Sequence, residues 1–578
     1  MKTRSILFIL FCFVIVSSCK KDFLEVPLQG PSVTEDVLAN KSGVQSLLVG
    51  AYHDLTGMSL SSRWWTTSGT NWLWADITSG DVYRGGYGGA GDEPEGVSIE
   101  YFQTHPSFTY ILNKFKSIYD GVSRSNAVLR AVAKAPDMTD DEKAEAIGEA
   151  RFLRGHYHFQ AKIMWNKVPY IDENVIDFKV SNEPEIWPQI EDDLRFAFDN
   201  LNEVKPFKGQ ANKWAAGAYL AKIYLFQQKY GAARALLDSV ITMGKTAQGA
   251  PYELNACFQD NFDGSSENSK EAIFQIQFSA DKEAYGNNSN LGEAANTPAM
   301  WQVSSWFSSW KQPSFNLVNA YKTDANGLPM LDTYNATNMP NDMGLESWEY
   351  FEPYSGTIDP RLDWTVGRRG VPYLDYNYGE PNPGKDWIND QNFGGPYTPI
   401  KGVYRFDQQG VYSEYYTNGY LLSSAVNYNL IRFADVLLWA AEAEVEAGSL
   451  EKAREYVNRV RERAMNGCVV EYYGTPAASY YVDLYNDPWS DQAMARKAVR
   501  FERRLELATE GHRFFDLVRW GVAAEYINEY LTVEKTRMPR LASVQFTKNK
   551  NEYYPLPQIE IDLSMKDGVP LLKQNPGY

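Results

Sequence analysis

A helical hairpin pattern occurs twice in this chain, at a constant offset of about 220 residues. Each copy has apolar residues at helical spacing, then a short turn, then a second apolar helix face. Small alanines stand where the two helices of each copy would cross, because helix axes about 8–10 Å apart leave no room for larger side chains. This pattern is typical of tetratricopeptide-type hairpins; its residues are Ala218, Ala221, Tyr224, Leu225, Tyr230, Ala233 and Leu237 in the first copy, and Leu438, Ala441, Glu444, Val445, Leu450, Ala453 and Val457 in the second.

Helical periodicity extends over much of the remaining chain. A capping-box pattern of Ser42 with Gln45 predicts one helix start, and Thr139 with Glu142 predicts another. Apolar faces predict helices over 108–133 and 139–166, with Pro169 as a stop, and again within 429–464 and 491–530. Segment 139–201 has the length of a further hairpin. We therefore predict a mostly α fold with a tetratricopeptide-like helical-hairpin scaffold.

Two loop-rich segments, about 58–107 and about 245–428, interrupt the helical pattern and contain most of the glycine, asparagine and tryptophan and half of the proline. Long irregular segments in a compact protein are usually functional or disordered, and their aromatic density argues against disorder. We predict a single domain over 32–578, with helical scaffold at about 32–57, 108–244 and 429–540, and with these two segments as ligand-binding insertions.

The N-terminus has the features of an export signal. Lys2 and Arg4 precede an apolar run from Ile6 to Val16, which is too short to span a bilayer. The small residues before Cys19 resemble a bacterial lipobox, which predicts a signal peptide over 1–18, lipidation of Cys19 and a tether over 19–31. The alternative is ordinary signal cleavage followed by an incidental cysteine. Lipidation would anchor the protein to membrane lipid through acylated Cys19.

Charge and composition exclude several classes of protein. The formal net charge is −17, and a nucleic-acid binder needs a basic surface, so no nucleic-acid partner is expected. Four cysteines cannot form a disulfide scaffold for 578 residues, and we predict Cys257 and Cys468 to be isolated buried thiols. His156 and His158 are two residues apart and point to different helix faces. No cofactor or metal is expected.

The insertions hold clusters of tryptophan and tyrosine beside asparagine and aspartate. The apolar face of a sugar ring stacks on an indole, and polar groups at the rim can bind the sugar hydroxyls. The alternative is that these rings form the core of loops that lack secondary structure. The candidate ligand-binding residues are Trp72, Trp74, Asp81, Tyr83, Tyr87, Tyr285, Asn287, Asn288, Trp301, Trp306 and Trp310.

Carboxylate pairs such as Glu442 with Glu446 and Glu502 with Glu506 stand at helical spacing beside arginines, and salt-bridge networks explain them. The chain has no nucleophile elbow, no catalytic Cys–His signature and no nucleotide fingerprint. We expect a protein that is not an enzyme. The alternative is a glycoside hydrolase that uses two loop carboxylates, since spacing alone cannot show their separation.

Several motifs, in order along the chain, together resemble the SusD/RagB family of outer-membrane lipoproteins. The lipobox is followed by Cys19-Lys-Lys-Asp-Phe23-Leu-Glu25, as at the mature start of these proteins. The remaining motifs are Ala150-Arg-Phe-Leu-Arg154 with Trp165-Asn-Lys-Val-Pro169-Tyr, Asp359-Pro-Arg-Leu-Asp363, Ile431-Arg-Phe-Ala-Asp435, Arg503-Arg-Leu-Glu506-Leu, and Glu510-Gly-His-Arg513-Phe-Phe-Asp516-Leu-Val-Arg519-Trp520.

The resemblance implies a surface-exposed, lipid-anchored protein that captures oligo- or polysaccharide and delivers it to a SusC-like TonB-dependent transporter. The family also offers two alternatives, which are the capture of peptides and a role only in gating the transporter. It also implies an aromatic arc from regions equivalent to 64–101 and 281–310, although no binding residue lies in a family motif. Glu510, Arg513, Asp516 and Arg519 are expected to form packed ion pairs.

Overall fold

The computed structural model describes residues 37–57, 64–88, 92–280, 288–294, 296–297, 309–416 and 421–578. The signal peptide and the tether lie outside the described residues. The described chain is mostly helical, as predicted. Its helices are α1 Lys41–His53, α2 Trp64–Thr67, α3 Pro94–Glu100, α4 Thr109–Lys134, α5 Asp140–Trp165, α6 Trp187–Asn200, α7 Lys213–Phe226, α8 Tyr230–Met243, α9 Phe315–Ala320, α10 Gln391–Gly394, α11 Phe433–Ala447, α12 Leu450–Asn466, α13 Gln492–Leu507, α14 Arg513–Arg519, α15 Ala523–Glu534 and α16 Gln558–Leu563.

Local hydrogen bonds explain where the long helices begin. The Thr139 side chain accepts from the Glu142 backbone and the Glu142 side chain accepts from the Thr139 backbone, so the predicted capping box of α5 is confirmed. The predicted cap at Ser42 is wrong. The Asn40 side chain accepts from the Gly43 N–H and begins α1 at Lys41, since a short amide side chain reaches the first orphan N–H groups equally well.

The two repeated hairpins are α7 with α8 and α11 with α12, which confirms the prediction from the alanine pattern. Ala218, Ala221, Ala233, Ala441 and Ala453 are all fully buried. Helix α8 of the first hairpin packs against α11 of the second. Although about 220 residues separate the two copies, they therefore stack directly on each other, as repeats must to bury their apolar faces.

The remaining scaffold continues this stack. Helix α1 packs on α4, α4 on α5, α5 on α6 and α6 on α7, while α13 packs on α11. Gly121 in α4 allows one close approach, because an added Cβ would lie 2.4 Å from the ring of Tyr157 in α5. The resulting frame buries Trp165 and Trp439 completely.

Short antiparallel two-stranded sheets lie outside the helices, and two of them, β1 with β3 and β2 with β8, join residues far apart in the sequence. The sheets pair β1 with β3, β2 with β8, β4 with β5, β6 with β7, β9 with β10 and β11 with β12. The strands are β1 Val82–Gly85, β2 Ala272–Ile276, β3 Trp310–Pro313, β4 Val366–Gly367, β5 Thr398–Pro399, β6 Ser413–Tyr416, β7 Leu421–Ser424, β8 Tyr428–Arg432, β9 Glu471–Tyr472, β10 Thr475–Pro476, β11 Met565–Lys566 and β12 Val569–Pro570.

Cys257 and Cys468 form a disulfide with a Cα–Cα distance of 5.0 Å. The prediction of two isolated thiols is therefore wrong. The bond closes a loop over a sequence separation of 211 residues, between the second loop-rich segment and the second residue after helix α12. An exported protein meets an oxidising environment in which such a bond persists.

No helix among the described residues is both long enough and apolar enough to cross a bilayer.

Candidate ligand-binding surfaces

The two loop-rich segments meet at the β1–β3 sheet, where Tyr83 pairs with Gln312 and Gly85 pairs with Trp310. The Trp310 ring lies 5.6 Å from the Trp65 ring and 6.1 Å from the Trp72 ring, measured between centroids. The structure thus brings together parts of the two regions from which the resemblance implied a shared aromatic arc.

The tryptophans at this junction are buried. Trp72 and Trp74 have no exposed surface, and Trp310 is 2% exposed. The indole N–H of Trp72 donates to the Gly292 carbonyl at 2.8 Å, and that of Trp74 donates to the Thr66 carbonyl at 3.0 Å. These three rings therefore pack the junction and present no face to a ligand in this structure, because loops without secondary structure need large side chains as their core.

Asp81 and Tyr83 are also fully buried. The Asp81 carboxylate accepts from Arg504 Nε at 2.8 Å and pairs with Arg504 Nη2 at 2.7 Å. The Tyr83 hydroxyl donates to the Glu534 carboxylate. Burial raises the pKa of Tyr83 well above its usual value. Both side chains attach β1 to the C-terminal helices and are not available to a ligand here.

Two other candidates reach the surface. Tyr87 follows β1 and is 61% exposed, and its backbone N–H donates to Asp92 Oδ2 at 2.8 Å. Asn288 is half-buried and lines a groove described below. Tyr285, Asn287, Trp301 and Trp306 lie outside the described residues.

The groove that contains Asn288 has a volume of about 710 Å³, which is in the range of small-ligand sites. We call it the amide groove, because five side-chain amides line it together with aromatic rings; its lining includes Gln45, Gln210, Gln275, Gln277, Asn288, Tyr52 and Phe207. Amides both donate and accept hydrogen bonds. The Tyr52 hydroxyl donates to Glu149 Oε2 at 2.6 Å and fixes the groove floor, whereas Phe207 at the rim is 72% exposed.

A second surface consists of exposed aromatic residues from three neighbouring segments, and we call it the aromatic ledge. About half of the large aromatic residues that the structure describes are buried, but Trp348, Tyr350, Tyr378 and Tyr473 are each more than 80% exposed. The Tyr472 and Tyr473 rings lie 4.5 Å apart, and their hydroxyls donate to the two oxygens of Glu380 at 2.6 and 3.1 Å. The aromatic ledge comprises Trp348, Tyr350, Tyr378, Tyr472 and Tyr473.

Hydrogen bonds hold the segments of the aromatic ledge together. Arg369 Nη2 donates to the Ser347 carbonyl at 2.9 Å and joins the Trp348 segment to the chain that precedes the Tyr378 turn. Tyr378 itself has a φ of +60°, so its ring is displayed by a left-handed turn that side chains other than glycine seldom adopt. The hydrogen bond from Tyr472 to Glu380 raises the pKa of Tyr472 to about 12. The aromatic ledge therefore presents aromatic faces beside a carboxylate, which suits a neutral polyhydroxylated ligand better than a polyanion.

None of the five residues of the aromatic ledge is among the candidate ligand-binding residues predicted from the sequence. Tyrosine is common in both cores and surfaces. The only signal in the sequence was that these residues stand among glycine, proline and asparagine, where a turn can carry a ring outward.

The two histidines of α5 have ordinary core roles. His156 Nδ1 lies 2.7 Å from the Tyr219 hydroxyl, and His158 Nε2 accepts from the Ile171 N–H at 3.1 Å. Burial lowers the pKa of each to about 3.

The segment that begins at Asp324 forms a turn, in which Asp324 Oδ1 accepts from the N–H groups of Asn326 and Leu328. Among the described residues, no group of three or more His, Cys, Asp or Glu side chains could hold a metal.

The helical carboxylate pairs belong to ion pairs, as predicted. Glu442 pairs with Arg519, Glu446 with Arg496, and Glu502 with Arg461. Asp516 bridges Arg503 and Arg519, so the expected pairing of the C-terminal motif holds for Asp516 and Arg519.

Glu510 is also paired, with Lys401 and Arg432. Arg513 departs from the expectation, because no carboxylate of the described residues lies within ion-pair distance of it. Its guanidinium instead lies over Trp520 and Tyr526, at 5.8 and 4.9 Å from the ring centroids.

Comparison with known proteins identifies the family. The model of the SusD family matches residues 270–578, more than half of the chain. The chain belongs to the SusD family. A second family model, described as starch-binding associating with outer membrane, matches residues 96–225 of this SusD-family chain.

Individual relatives agree with this assignment. SusD-like protein P25 of Formosa agariphila is 24% identical over 541 residues, which cover 92% of each chain. Among solved structures, a SusD superfamily protein from Bacteroides vulgatus aligns with a TM-score of 0.66 at 20% identity, over 94% of this chain and 100% of that one. A laminarin binding SusD-like protein aligns with a TM-score of 0.60 at 22% identity, over 93% of this chain and 100% of that one. These likenesses show that the SusD fold extends over nearly the whole chain.

Proposed function

We propose that this SusD-family chain is a cell-surface glycan-binding lipoprotein that captures oligo- or polysaccharide and delivers it to a SusC-like TonB-dependent transporter in the outer membrane. The aromatic ledge carries the proposal, since four rings of the chain are more than 80% exposed there. Monomeric proteins rarely leave such a surface uncovered without a ligand. The matched description of starch binding at the outer membrane, and the shared fold with a laminarin-binding protein, support the same class of ligand.

The ligand would be held by stacking and by rim hydrogen bonds. Rings of the aromatic ledge would lie against the C–H faces of successive sugars, while Glu380, between Tyr472 and Tyr473, would accept from sugar hydroxyls. Further proposed contacts come from the two loop-rich segments; they are Tyr87, Asn288, Tyr285, Asn287, Trp301 and Trp306. Modest affinity at each site suffices, because many anchored copies can engage one polysaccharide.

We test the glycan assignment by affinity electrophoresis of the chain without Cys19 through gels that contain plant and microbial polysaccharides. We expect at least one polysaccharide to retard the protein, and we expect Tyr378→Ala with Tyr473→Ala to abolish the retardation. Phe178→Ala is the matched control, because Phe178 is 76% exposed but lies outside the aromatic ledge. Equal retardation of the unsubstituted protein, the double variant and the control variant would exclude the aromatic ledge as the site. A protein that no polysaccharide retards would count against glycan capture.

The anchor and the transporter need separate tests. Cys19→Ser should move the protein out of the outer-membrane fraction while its glycan binding stays unchanged. Native protein extracted from outer membranes in mild detergent should co-purify with a large TonB-dependent transporter. Recovery of the protein alone, at detergent concentrations that keep other outer-membrane complexes intact, would count against delivery to such a partner.

The amide groove favours peptide capture as the second candidate. Glutamine and asparagine amides could pair with a peptide backbone, and the predicted tryptophan platforms Trp72, Trp74 and Trp310 are buried. Peptide capture would be favoured if the protein bound peptides from a panel, if Gln277→Ala weakened that binding, and if no polysaccharide retarded the protein.

We propose that the chain does not cleave its ligand. The paired carboxylates Glu442, Glu446, Glu502 and Glu506 are each bound to arginine, which suits a structural role. Reducing-end assays after incubation with the retarding polysaccharide should show no release above a protein-free control, and any sustained release would overturn this part of the proposal.

A further inference from the structure

A basic pocket of about 610 Å³ lies between helices α13, α14 and α15 and the segment 331–336. It shares no lining residue with the amide groove, and none of its residues belongs to the aromatic ledge. Five cationic side chains line it, namely Arg496, Lys497, Arg500, Arg504 and Arg513. In a chain of net charge −17, such a concentration of positive charge around a cavity needs a physical explanation.

Three of the five cations are neutralised by neighbours. Arg496 pairs with Glu446, Lys497 with Asp332, and Arg504 with Asp81. Arg500 and Arg513 have no carboxylate partner within 4.0 Å in the part of the chain that the structure describes. They lie instead over aromatic faces, with Arg500 Cζ 4.5 Å and Arg513 Cζ 5.8 Å from the ring centroids of Trp520.

Polar atoms around these two arginines are buried without a partner. Arg500 Nε, Arg513 Nε and Nη1, and the Tyr526 hydroxyl are inaccessible to solvent and make no hydrogen bond to a described residue. Buried polar atoms without partners are rare in proteins, and each one calls for a bound ion, a water or a functional role. Burial lowers the pKa of Arg500, which is the sign of a cation whose charge is not compensated.

Arg500 and Arg513 are half-buried, and three fully buried arginines provide a comparison. Arg361, Arg432 and Arg461 are each 1% exposed or less, and each is paired with at least one carboxylate. Two adjacent unpaired guanidinium groups beside a cavity therefore stand out. Guanidinium groups bind carboxylate, sulfate and phosphate through parallel N–H donors.

We propose that this basic pocket binds an acidic sugar, whose carboxylate or sulfate group is held between Arg500 and Arg513. The half-buried Tyr334 ring supplies an apolar wall for the sugar ring, and a cavity of about 610 Å³ accommodates a ligand of that size. Glu529 and Asp332 at the lining would accept from hydroxyl groups at the uncharged end. The two arginines would discriminate against neutral sugars, since a neutral ligand would leave the buried donors unpaired.

The test is isothermal titration calorimetry of the full mature chain. The chain is titrated separately with glucuronate, glucose, a monosaccharide sulfate, acetate and inorganic sulfate. We expect glucuronate or the sugar sulfate to bind at least about tenfold more tightly than glucose, acetate and inorganic sulfate, and to bind more weakly as salt is raised. Equal affinity for acetate or inorganic sulfate would overturn the assignment of a sugar ligand. Equal affinity for glucose, or no binding of any probe, would overturn the anion site.

Variants connect the binding to the two arginines. Arg500→Gln with Arg513→Gln should weaken acidic-sugar binding at least about tenfold, because charge-assisted hydrogen bonds are the strong ones. Arg500→Gln alone should weaken it measurably and covers the case in which the double variant unfolds, since Arg500 makes no hydrogen bond to a described residue. Lys452→Gln is the matched control and should change the affinity by less than about twofold, because Lys452 lies outside the pocket lining and its charge is paired with Asp238.

Tyr378→Ala with Tyr473→Ala should leave acidic-sugar binding unchanged, which separates this site from the proposed glycan surface. Loss of binding in that variant but not in the Arg500 variants would refute the basic pocket.

Discussion

Replacement of Glu506 by glutamine tests how the frame is held together. Glu506 is fully buried and is paired with three guanidinium groups, those of Arg361, Arg432 and Arg463. These ion pairs continue into one connected buried network of five cations and five carboxylates; its members are Arg361, Lys401, Arg432, Arg461, Arg463, Asp359, Glu271, Glu502, Glu506 and Glu510. The network is electrically neutral, and Glu506→Gln would leave it with a buried net charge of +1.

The expected loss of stability follows from that imbalance. Removal of one partner from a buried ion network costs about 3–5 kcal/mol, because a desolvated charge is left uncompensated. Glutamine keeps the shape of the side chain and one acceptor oxygen, so we expect a loss near the lower end, about 3 kcal/mol. Glu446→Gln is the matched control, since its Arg496 partner is 31% exposed, and we expect a loss of only about 0–1 kcal/mol.

Urea unfolding at neutral pH, followed by tryptophan fluorescence and far-UV circular dichroism, measures both losses. The comparison requires equal m-values, because a change in m would mean that the unfolded or native state had changed. If Glu506→Gln lowers the free energy of unfolding no more than Glu446→Gln does, the reasoning is wrong, and the buried network contributes no more to stability than a partly exposed pair.

Three further predictions concern other parts of the molecule. Replacement of Cys257 and Cys468 by serine should lower the free energy of unfolding by about 2–5 kcal/mol, because the disulfide closes a long loop; a denaturation midpoint insensitive to both replacement and reducing agent would contradict this. Tyr473→Ala should weaken binding of the retarding glycan by about 1–3 kcal/mol, a magnitude comparable to aromatic stacking elsewhere, and calorimetry with a purified oligosaccharide would measure it. Arg432 and Lys401 hold the pKa of Glu510 at about 2 against its usual 4.5, so its folded pKa is depressed and its contribution to stability is present above pH 4.5. That contribution should be lost as the pH falls from 4.5 to about 2, and urea titrations across this window should show a smaller decline for Glu510→Gln.

The helical frame could be predicted from the sequence because its determinants are local. The alanine pattern at Ala221 and Ala441 fixed both hairpins, and the Thr139 capping box fixed the start of α5. The pairing of Cys257 with Cys468 could not be predicted, since it depends on where a long irregular segment returns to the end of α12.

The candidate surfaces were harder to predict than the frame. A tryptophan in a loop serves either as core or as platform, and the two roles have the same local sequence. Trp72 and Trp74 became core because the Gly292 and Thr66 carbonyls stand within reach of their indole N–H groups. Tyr378 and Tyr473 lie at the surface because turns carry their rings outward. The two residues come close together only when distant segments of the chain meet at Glu380.

Ion pairs and a disulfide attach the second loop-rich segment to the helical frame. The positions of these attachments explain how one frame can carry variable ligand-binding surfaces. Arg361 and Lys401 belong to the second loop-rich segment, yet their charges are neutralised by Glu502, Glu506 and Glu510 near the C-terminal helices. The disulfide adds a covalent attachment between the same two parts. The segment is thus tied to the frame by buried groups, while the rings of the aromatic ledge contribute little to that attachment because they are exposed. Substitution on the aromatic ledge should therefore change ligand choice at little cost in stability, whereas substitution in the buried network should change stability first and ligand binding only through the loss of the folded frame.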